Sequence, residues 1–343
     1  MSRRALVVER PGEIALVERP DLEPGPGEVL LRPAFCGVCA TDLEILNGDL
    51  DPAYVGYPVT LGHEWSGVVE AVGQGVEGVA IGDRCVAEGI VPCGRCASCR
   101  AGATNTCEVY DEIGFTREGG ASDQVLVPAR LVHVLSPEVT LDSAALVEPT
   151  SVVLRALDKA SPPEGARVVV LGDGTIALLA VQLIGLWSPA EVVVVGRRAD
   201  QTDLAIHAGA TRFTLDDAEA AGADLVIEAA GALEAVGTAI RAAKRGGTVL
   251  LIGLPPTGQA VELPADLLVN NDLTLAASFS YTTAAWARVV DLLNSGGISP
   301  GSIVTHRFPL HAHEQAFAEL SAPTGPRGKI LLEISPEEPH RDG

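Results

Sequence analysis

Positive charge is scarce in this sequence. Its 343 residues contain 24 Lys and Arg against 45 Asp and Glu, which gives a formal net charge of −21 at pH 7. Proteins that bind nucleic acid gain most of their affinity by neutralising phosphates with Lys and Arg, and an anionic membrane surface repels a chain of this charge. The composition therefore argues against nucleic acid and membrane surfaces as partners.

Long apolar runs are also absent. No uninterrupted run approaches the roughly 18–20 residues that a membrane-spanning helix needs, and the apolar stretch near the N-terminus is too short for a signal peptide. The hydrophobic fraction of 47% still allows a large folded core. These features predict a cytoplasmic protein, and the length is typical of about two domains.

The two halves of the chain differ in pattern. Up to about residue 150, short apolar runs alternate with Gly and Pro, which predicts a β-rich domain with many loops. From about Val153 onward, near-continuous apolar strands alternate with helical segments, as in a parallel sheet that is covered on both faces. The strands predicted in this part are 168–171, 192–195, 225–229, 248–253 and 273–278. The pattern predicts an α/β fold.

A glycine-rich turn follows the first of these strands. The segment Gly172-Asp173-Gly174-Thr175-Ile176-Ala177 lies after a strand and opens a helix, which is the context of a dinucleotide-binding turn. Gly172 allows the tight turn, and Gly174 lets backbone N–H groups approach a pyrophosphate. The alternative is a packing turn without a nucleotide. We expect a nicotinamide cofactor here.

The end of the second strand distinguishes NAD from NADP. An acidic residue there would bind the ribose 2′-hydroxyl of NAD, whereas this sequence has Gly196-Arg197-Arg198. Gly196 leaves room, and the two guanidinium groups offer donors to a 2′-phosphate. The sequence therefore favours NADP(H) over NAD(H), with two solvated surface arginines as the alternative.

Four cysteines share one short segment. Cys93, Cys96, Cys99 and Cys107 have the spacing of a tetrahedral structural zinc site, in which thiolates fill every position and leave none for substrate. An iron–sulfur cluster uses similar cysteine runs and is one alternative, and incidental free thiols are the other.

A second set of metal-binding residue types is spread over the first half. Cys39 stands in Cys36-Gly37-Val38-Cys39-Ala40-Thr41-Asp42, His63 and Glu64 are adjacent, and Glu148 precedes the α/β part. Cys, His and Glu are the ligands of open catalytic zinc sites. Together with the cofactor turn, they indicate a Lewis-acid zinc that works beside a hydride carrier.

With these motifs in place, the chain resembles the zinc-containing medium-chain dehydrogenase/reductases from Leu6 to about Ile334. The motifs that carry the resemblance are residues 37–42, 62–64, the four-cysteine segment, residues 172–177, and 246–248 leading to Gly253. The His63-Glu64 pair and Glu148-Pro149 are similar to the polyol and sugar dehydrogenase branch. Segments 62–67, 113–116 and 147–149 are also similar to aminocyclitol dehydrogenases of the 2-deoxy-scyllo-inosamine type.

The resemblance implies a fold and an assembly. It implies a GroES-like β-rich catalytic domain of residues 1–153 and 287–343, a doubly wound Rossmann domain of residues 154–286, and an active site in the cleft between them. It also implies a homodimer or a homotetramer. The cofactor contacts expected are Gly172, Gly174, Thr175, Ile176, Gly196, Arg197, Arg198, Gly253 and Leu254.

The resemblance also implies ligand positions. Cys39 and His63 fall on zinc-ligand positions, and Glu64 and Glu148 fall on positions that bind zinc directly or through its water. Asp42 falls where a carboxylate orients the ligating histidine.

Proton transfer is expected from the same region. Thr41 falls on the position that hydrogen-bonds the substrate hydroxyl. Relatives often carry a proton-relaying histidine five residues after the cysteine ligand, and here that residue is Glu44. Glu44 either relays the proton or is a solvated helix residue.

The function expected is hydride transfer between NAD(P) and a secondary hydroxyl of a small polyhydroxylated substrate, which is a polyol, sugar or cyclitol. One alternative is the same chemistry on simple alcohols or aldehydes. An alternative of another class is a catalytically silent zinc-scaffold or regulatory protein.

Overall fold

The computed structural model describes residues 2–255 and 258–335. The chain divides into two compact units. Unit 1 comprises Met1–Glu148, Trp286–Thr324 and Ile330–Gly343, and unit 2 comprises Pro149–Ala285 and Gly325–Lys329. Among the described residues, no helix is both long and apolar enough to cross a membrane.

The described residues form both strands and helices, and they alternate regularly in unit 2, which confirms the predicted α/β class. The strands are β1 Ser2–Arg10, β2 Glu13–Pro20, β3 Glu28–Val38, β4 Val59–Thr60, β5 Trp65–Val72, β6 Arg84–Ala87, β7 Val125–Pro128, β8 Val132–Val134, β9 Arg167–Leu171, β10 Glu191–Val195, β11 Arg212–Thr214, β12 Ala223–Glu228, β13 Ala243–Leu251, β14 Thr274–Ala277, β15 Val304–Pro309 and β16 Lys329–Glu333. The helices are α1 Ala40–Asn47, α2 Ala97–Arg100, α3 Leu141–Ala144, α4 Val147–Ala160, α5 Thr175–Ile184, α6 Thr202–Ala208, α7 Leu233–Ala242, α8 Ala265–Asn270, α9 Thr283–Asn294 and α10 His313–Ser321.

Unit 1 is built mainly from antiparallel strands. A three-stranded sheet has the order β2-β1-β4, and a seven-stranded sheet has the order β15-β16-β3-β5-β6-β8, with β7 also paired to β3. The long strand β3 pairs antiparallel with β5, so that Cys36 lies opposite Trp65. This register puts the residues just after β3 beside those just before β5. It therefore brings together two segments that carry predicted metal ligands.

Unit 2 contains one parallel sheet of six strands in the order β11-β10-β9-β12-β13-β14. Its central strands are apolar and inaccessible to solvent, as in Val168, Val169 and Val170 of β9, because helices must cover both faces of a parallel sheet. The strand order reverses between β9 and β12. Ligands of such sheets bind outside the carboxyl ends of the strands at that reversal.

A short C-terminal segment is grouped with unit 2, whereas the sequence interpretation placed it with the β-rich domain. Hydrogen bonds explain the grouping of Gly325–Lys329. The hydroxyl of Thr175 donates to the carbonyl of Gly328 (2.9 Å), and the amide of Gln201 donates to that of Arg327 (2.9 Å). These bonds tie the segment to the glycine-rich turn and to the residues after β10.

Candidate active site

Three predicted metal ligands lie together in unit 1. The Sγ of Cys39, a ring nitrogen of His63 and a carboxylate oxygen of Glu64 are all within 4.8 Å of one another. His63 and Glu64 are 5% and 2% exposed. Cys39 follows the end of β3, and the other two precede β5, so the pairing of these strands creates the cluster. The bond from the N–H of Gly37 to the carbonyl of Glu64 (2.6 Å) fixes this junction.

Gly62 is needed for the backbone to enter this cluster. Its φ is +102°, and a Cβ built on it would lie 2.5 Å from the amide nitrogen of Ala121 and 2.6 Å from the Sγ of Cys36. Only glycine accepts both the conformation and the close approach. The residue before His63 is therefore fixed by packing as well as by conformation.

Asp42 links the first turn of α1 to the cluster. Its carboxylate accepts the backbone N–H of Cys39 (2.9 Å), the N-cap residue of the helix, and its other oxygen lies 3.6 Å from the Nδ1 of His63. Burial alone would lower the pKa of His63, but the charge of Asp42 and the neighbouring Cys39 and Glu64 raise it well above the ordinary value. The cluster therefore strongly favours positive charge at its centre.

The remaining predicted catalytic residues have different surroundings. The hydroxyl of Thr41 lies 3.7 Å from the Sγ of Cys39. Glu44 is half-buried on α1, and burial together with the charge of Asp49 raises its pKa. Glu148 lies in the first turn of α4 and is partly buried. Within the described part of the chain, it is not among the residues whose ligand atoms meet those of Cys39.

Two loops of unit 1 carry aromatic and acidic side chains close to the cluster. The ring of Phe115 lies 5.1 Å from that of His63, centroid to centroid. Glu112 is 8% exposed and accepts the hydroxyl of Tyr110, whose ring contacts Tyr54 edge-on at 4.9 Å. Burial raises the pKa of Glu112 above its ordinary value. The charge of His63 opposes that rise, so Glu112 is a polar neighbour of the cluster that sequence reasoning did not single out.

The four cysteines of the predicted structural site also meet. The sulfur atoms of Cys93, Cys96, Cys99 and Cys107 lie within 4.8 Å of one another. Backbone N–H groups of Arg95 and Cys96 lower the pKa of Cys93 to about 6, which favours the thiolate that binds metals. Burial and neighbouring thiols raise the pKa of Cys99 to about 12. The four sulfur atoms thus match the donor set of a tetrahedral metal site, and all four could ionise together only with a bound cation.

Four of the cofactor residues predicted from sequence border a cavity in unit 2. It has a volume of about 290 Å³ and lies at the carboxyl ends of β9, β10 and β12. Gly172, whose φ is +121°, has no room for a side chain, because a Cβ would lie 3.0 Å from the amide nitrogen of Ala230. Gly174 is the N-cap of α5, so the free N–H groups of that helix are available to an anion.

The turn after β10 is held by the glycine-rich turn. One carboxylate oxygen of Asp173 accepts the backbone N–H groups of Arg197 (2.8 Å) and Arg198 (3.1 Å). A Cβ on Gly196 would lie 2.4 Å from the ring of Phe213 and 2.9 Å from that carboxylate oxygen. Any side chain at position 196 would therefore have to displace the ring of Phe213 and the carboxylate of Asp173.

Only some of the predicted cofactor residues border this cavity. Gly172, Gly174, Gly196 and Arg197 line it. Five other predicted contacts are not among the described residues that line the cavity, namely Thr175, Ile176, Arg198, Gly253 and Leu254. The guanidinium of Arg198 donates instead to the carbonyl of Gly325 (3.1 Å), and Leu254 is 67% exposed.

Comparisons with known proteins agree with this architecture. The alcohol dehydrogenase GroES-like domain matches residues 25–137, and the glucose dehydrogenase C-terminus matches residues 141–322. The chain is 32% identical to the sorbitol dehydrogenase of Gallus gallus, over 97% of both chains. It is 31% identical to the 2-dehydro-3-deoxy-L-galactonate 5-dehydrogenase of Pseudoalteromonas atlantica, over 94% of this chain and 96% of the relative. The chain belongs to the zinc-containing medium-chain dehydrogenase/reductases.

A solved structure supports membership of this dehydrogenase/reductase family. A candidate zinc-binding dehydrogenase from Sinorhizobium meliloti 1021, crystallised with NADP, superposes with a TM-score of 0.91 at 32% identity. The similarity covers 97% of this chain and 100% of that one. The family and the GroES-like plus Rossmann fold predicted from the sequence are thereby confirmed. The narrower resemblance to aminocyclitol dehydrogenases stays a prediction.

Arg327 is a cavity residue of this medium-chain dehydrogenase/reductase that sequence reasoning missed. It lines the cofactor cavity, and its backbone N–H donates to the side chain of Gln201 (2.8 Å). It lies more than 150 residues after the glycine-rich turn, in a Gly- and Pro-containing segment. No local pattern distinguishes it from a surface arginine, so the fold alone reveals its position.

Proposed function

We propose that this protein is a zinc-dependent dehydrogenase that transfers a hydride between NADP(H) and a secondary hydroxyl or ketone of a polyol, sugar or cyclitol. The cluster of Cys39, His63 and Glu64 carries the proposal. A thiol, an imidazole and a carboxylate, with ligand atoms within 4.8 Å of one another, match the donors of an open zinc site. The charged environment of His63 fits a cation at the centre of the cluster.

The proposed chemistry is shared between the ion and the chain. Cys39, His63 and Glu64 would hold a zinc ion, with Glu148 as a further direct or water-mediated ligand, and the bound ion would lower the pKa of a substrate alcohol. Thr41 hydrogen-bonds the substrate hydroxyl and relays its proton, since its oxygen accepts that proton as its own hydroxyl proton passes on to Glu44. Glu44, whose pKa is raised by burial, takes that proton toward solvent.

The hydride acceptor is assigned to unit 2. The cavity bordered by Gly172, Gly174 and Gly196 has the position and the backbone N–H groups of a dinucleotide site. Gly196 stands where an acid would bind a 2′-hydroxyl, the packing around it disfavours a side chain there, and Arg197 lies where a 2′-phosphate is expected. Solved neighbours carry either cofactor, NADP in the dehydrogenase from Sinorhizobium meliloti and NADH in rspB from E. coli CFT073, so the choice of NADP(H) rests on this chain's own residues.

The substrate class rests on the relatives and on the loops near the cluster. Sorbitol and 2-dehydro-3-deoxy-L-galactonate, the substrates that the two relatives' names state, both carry several hydroxyls. The loops near the cluster also carry Phe115, whose ring lies 5.1 Å from that of His63, and the hydrogen-bonded pair of Tyr110 and Glu112. The four-cysteine segment is assigned a second zinc with a structural role.

The test is a substrate and cofactor matrix. Zinc-loaded protein is incubated with sorbitol, other polyols, cyclitols and simple alcohols, each with NADP+ or NAD+, and absorbance at 340 nm reports reduced cofactor. We expect turnover of at least one polyhydroxylated substrate, with higher kcat/KM for NADP+, and its loss in His63→Ala. Turnover of simple alcohols alone contradicts the substrate class, and a higher kcat/KM for NAD+ contradicts the cofactor assignment. Nucleotide binding without turnover of any alcohol favours a silent scaffold.

A further inference from the structure

An ion pair joins two walls of the cofactor cavity. Arg197, at the end of β10, binds Glu234, in the first turn of α7, with 2.9 Å between the guanidinium and the carboxylate. Both residues line the cavity. Their side chains are 70% and 72% exposed, so both can move without disturbing the core. The arginine assigned to the 2′-phosphate is therefore already paired with a carboxylate.

The charges around this pair make Glu234 different from its neighbours. Of the described residues, three with carboxylates border the cavity, namely Asp173, Asp217 and Glu234. Asp173 is held by the backbone N–H groups after β10. Of these three residues, Glu234 is the one whose carboxylate forms an ion pair with Arg197. The carboxylate accepts from the Nη2 of Arg197 (2.9 Å), so a 2′-phosphate that binds this guanidinium competes with it for that donor and for the positive charge.

We propose that Glu234 is a specificity-determining residue that competes with the cofactor's 2′-phosphate for Arg197. This inference rests on the proposed function, in which the cavity holds a nicotinamide dinucleotide. NADP(H) must displace the carboxylate from Arg197, and the two anions then repel each other. NAD(H) has a neutral 2′-hydroxyl and leaves the ion pair intact. Glu234 therefore weakens the preference for NADP(H) that the arginine provides.

The expected size of the effect follows from the exposure of the pair. Solvent-exposed ion pairs are worth little, and salt screens them further. Removing the competing carboxylate is therefore expected to tighten NADPH binding only about two- to fivefold at low salt. This is less than the tenfold change that corresponds to about 1.4 kcal/mol. The affinity for NADH is expected to change by less than about 1.5-fold, because NADH has a neutral 2′-hydroxyl where NADPH has a charged phosphate.

The test measures dissociation constants of NADPH and NADH by cofactor fluorescence at low ionic strength. The variants are Glu234→Gln, Arg197→Gln and the double variant. Glu219→Gln is the matched control, because Glu219 also pairs with a surface arginine of unit 2, Arg212. This substitution removes the same charge as Glu234→Gln. Adenosine 2′,5′-bisphosphate and 5′-AMP serve as competitors that isolate the contribution of the 2′-phosphate.

Support requires that Glu234→Gln tightens NADPH and adenosine 2′,5′-bisphosphate selectively, that the gain disappears in the Arg197→Gln background, and that Glu219→Gln does neither. Equal tightening of NADPH and NADH, or no change in either, overturns the inference while leaving the dinucleotide site in place. Failure of wild-type protein to bind either nucleotide overturns the proposed function and this inference together.

Discussion

Asp42 makes two contacts that substitution can separate. One carboxylate oxygen accepts the N–H of Cys39 and caps α1, and the other lies 3.6 Å from the Nδ1 of His63. Asp42→Asn keeps an oxygen that accepts the capping hydrogen bond but removes the negative charge. Asp42→Ala removes both. The pair of variants therefore distinguishes a helix-capping role from an electrostatic role at the metal cluster.

The expected magnitudes follow from these contacts. Loss of a partner that orients a metal-binding histidine costs about 10–100-fold in metal affinity, which is about 1.4–2.7 kcal/mol. Both variants should show this loss at the cluster of Cys39 and His63. Loss of the cap costs about 1 kcal/mol of unfolding free energy, so the Ala variant should be less stable than the Asn variant by about that amount.

Chelator competition measures zinc affinity, and urea denaturation measures stability. The four-cysteine segment, from Cys93 to Cys107, provides an internal reference, because its affinity should not change in either variant. Zinc affinity of Asp42→Asn within about twofold of wild type would refute the electrostatic role. Equal loss of affinity at both sites would show that the substitution acts through global destabilisation instead.

Two further substitutions test packing and charge away from the metal. Gly196→Asp should lower the unfolding free energy by about 1–3 kcal/mol, because its Cβ would lie 2.4 Å from the ring of Phe213. It should not create a preference for NAD. Unchanged stability of the variant in urea would contradict the packing argument. Burial favours a higher pKa for Asp142, but hydrogen bonds from Thr140 and Arg307 hold it below the ordinary value. Asp142→Asn should therefore lower the unfolding free energy by about 1 kcal/mol above pH ~4. This difference in unfolding free energy from wild type should vanish as the pH falls through the pKa of Asp142 in the folded protein. A difference that does not depend on pH would exclude the ion pair of Asp142 and Arg307 as its cause.

Much of the fold is readable from local patterns. Apolar strands such as Val168–Val170 leave few alternatives to a covered parallel sheet, and the glycine-rich turn marks the strand that β10 and β12 flank. Cys39, His63 and Glu64 lie in short motifs whose residue types indicate a metal. Their proximity, however, depends on the pairing of β3 with β5, which no local pattern specifies.

The parts that the sequence does not reveal depend on distant contacts. Arg327 reaches the cofactor cavity because its segment bonds to Gln201, 126 positions earlier in the chain. The partner of Arg197 lies on α7, 37 positions later. Arg198 was predicted to contact the cofactor, but its guanidinium donates to the carbonyl of Gly325. Arg197 and Arg198 look alike in sequence, and only the fold shows that they donate to different groups.

The most direct test of a catalytic zinc is the zinc content per chain, measured together with polyol-dependent NADP+ reduction, in wild type and in Cys39→Ala. We predict about two zinc ions in wild type and about one in the variant. The variant should remain folded and bind NADPH but have no turnover. Unchanged zinc content in the variant, or normal turnover with one ion, would contradict a catalytic metal at Cys39, His63 and Glu64.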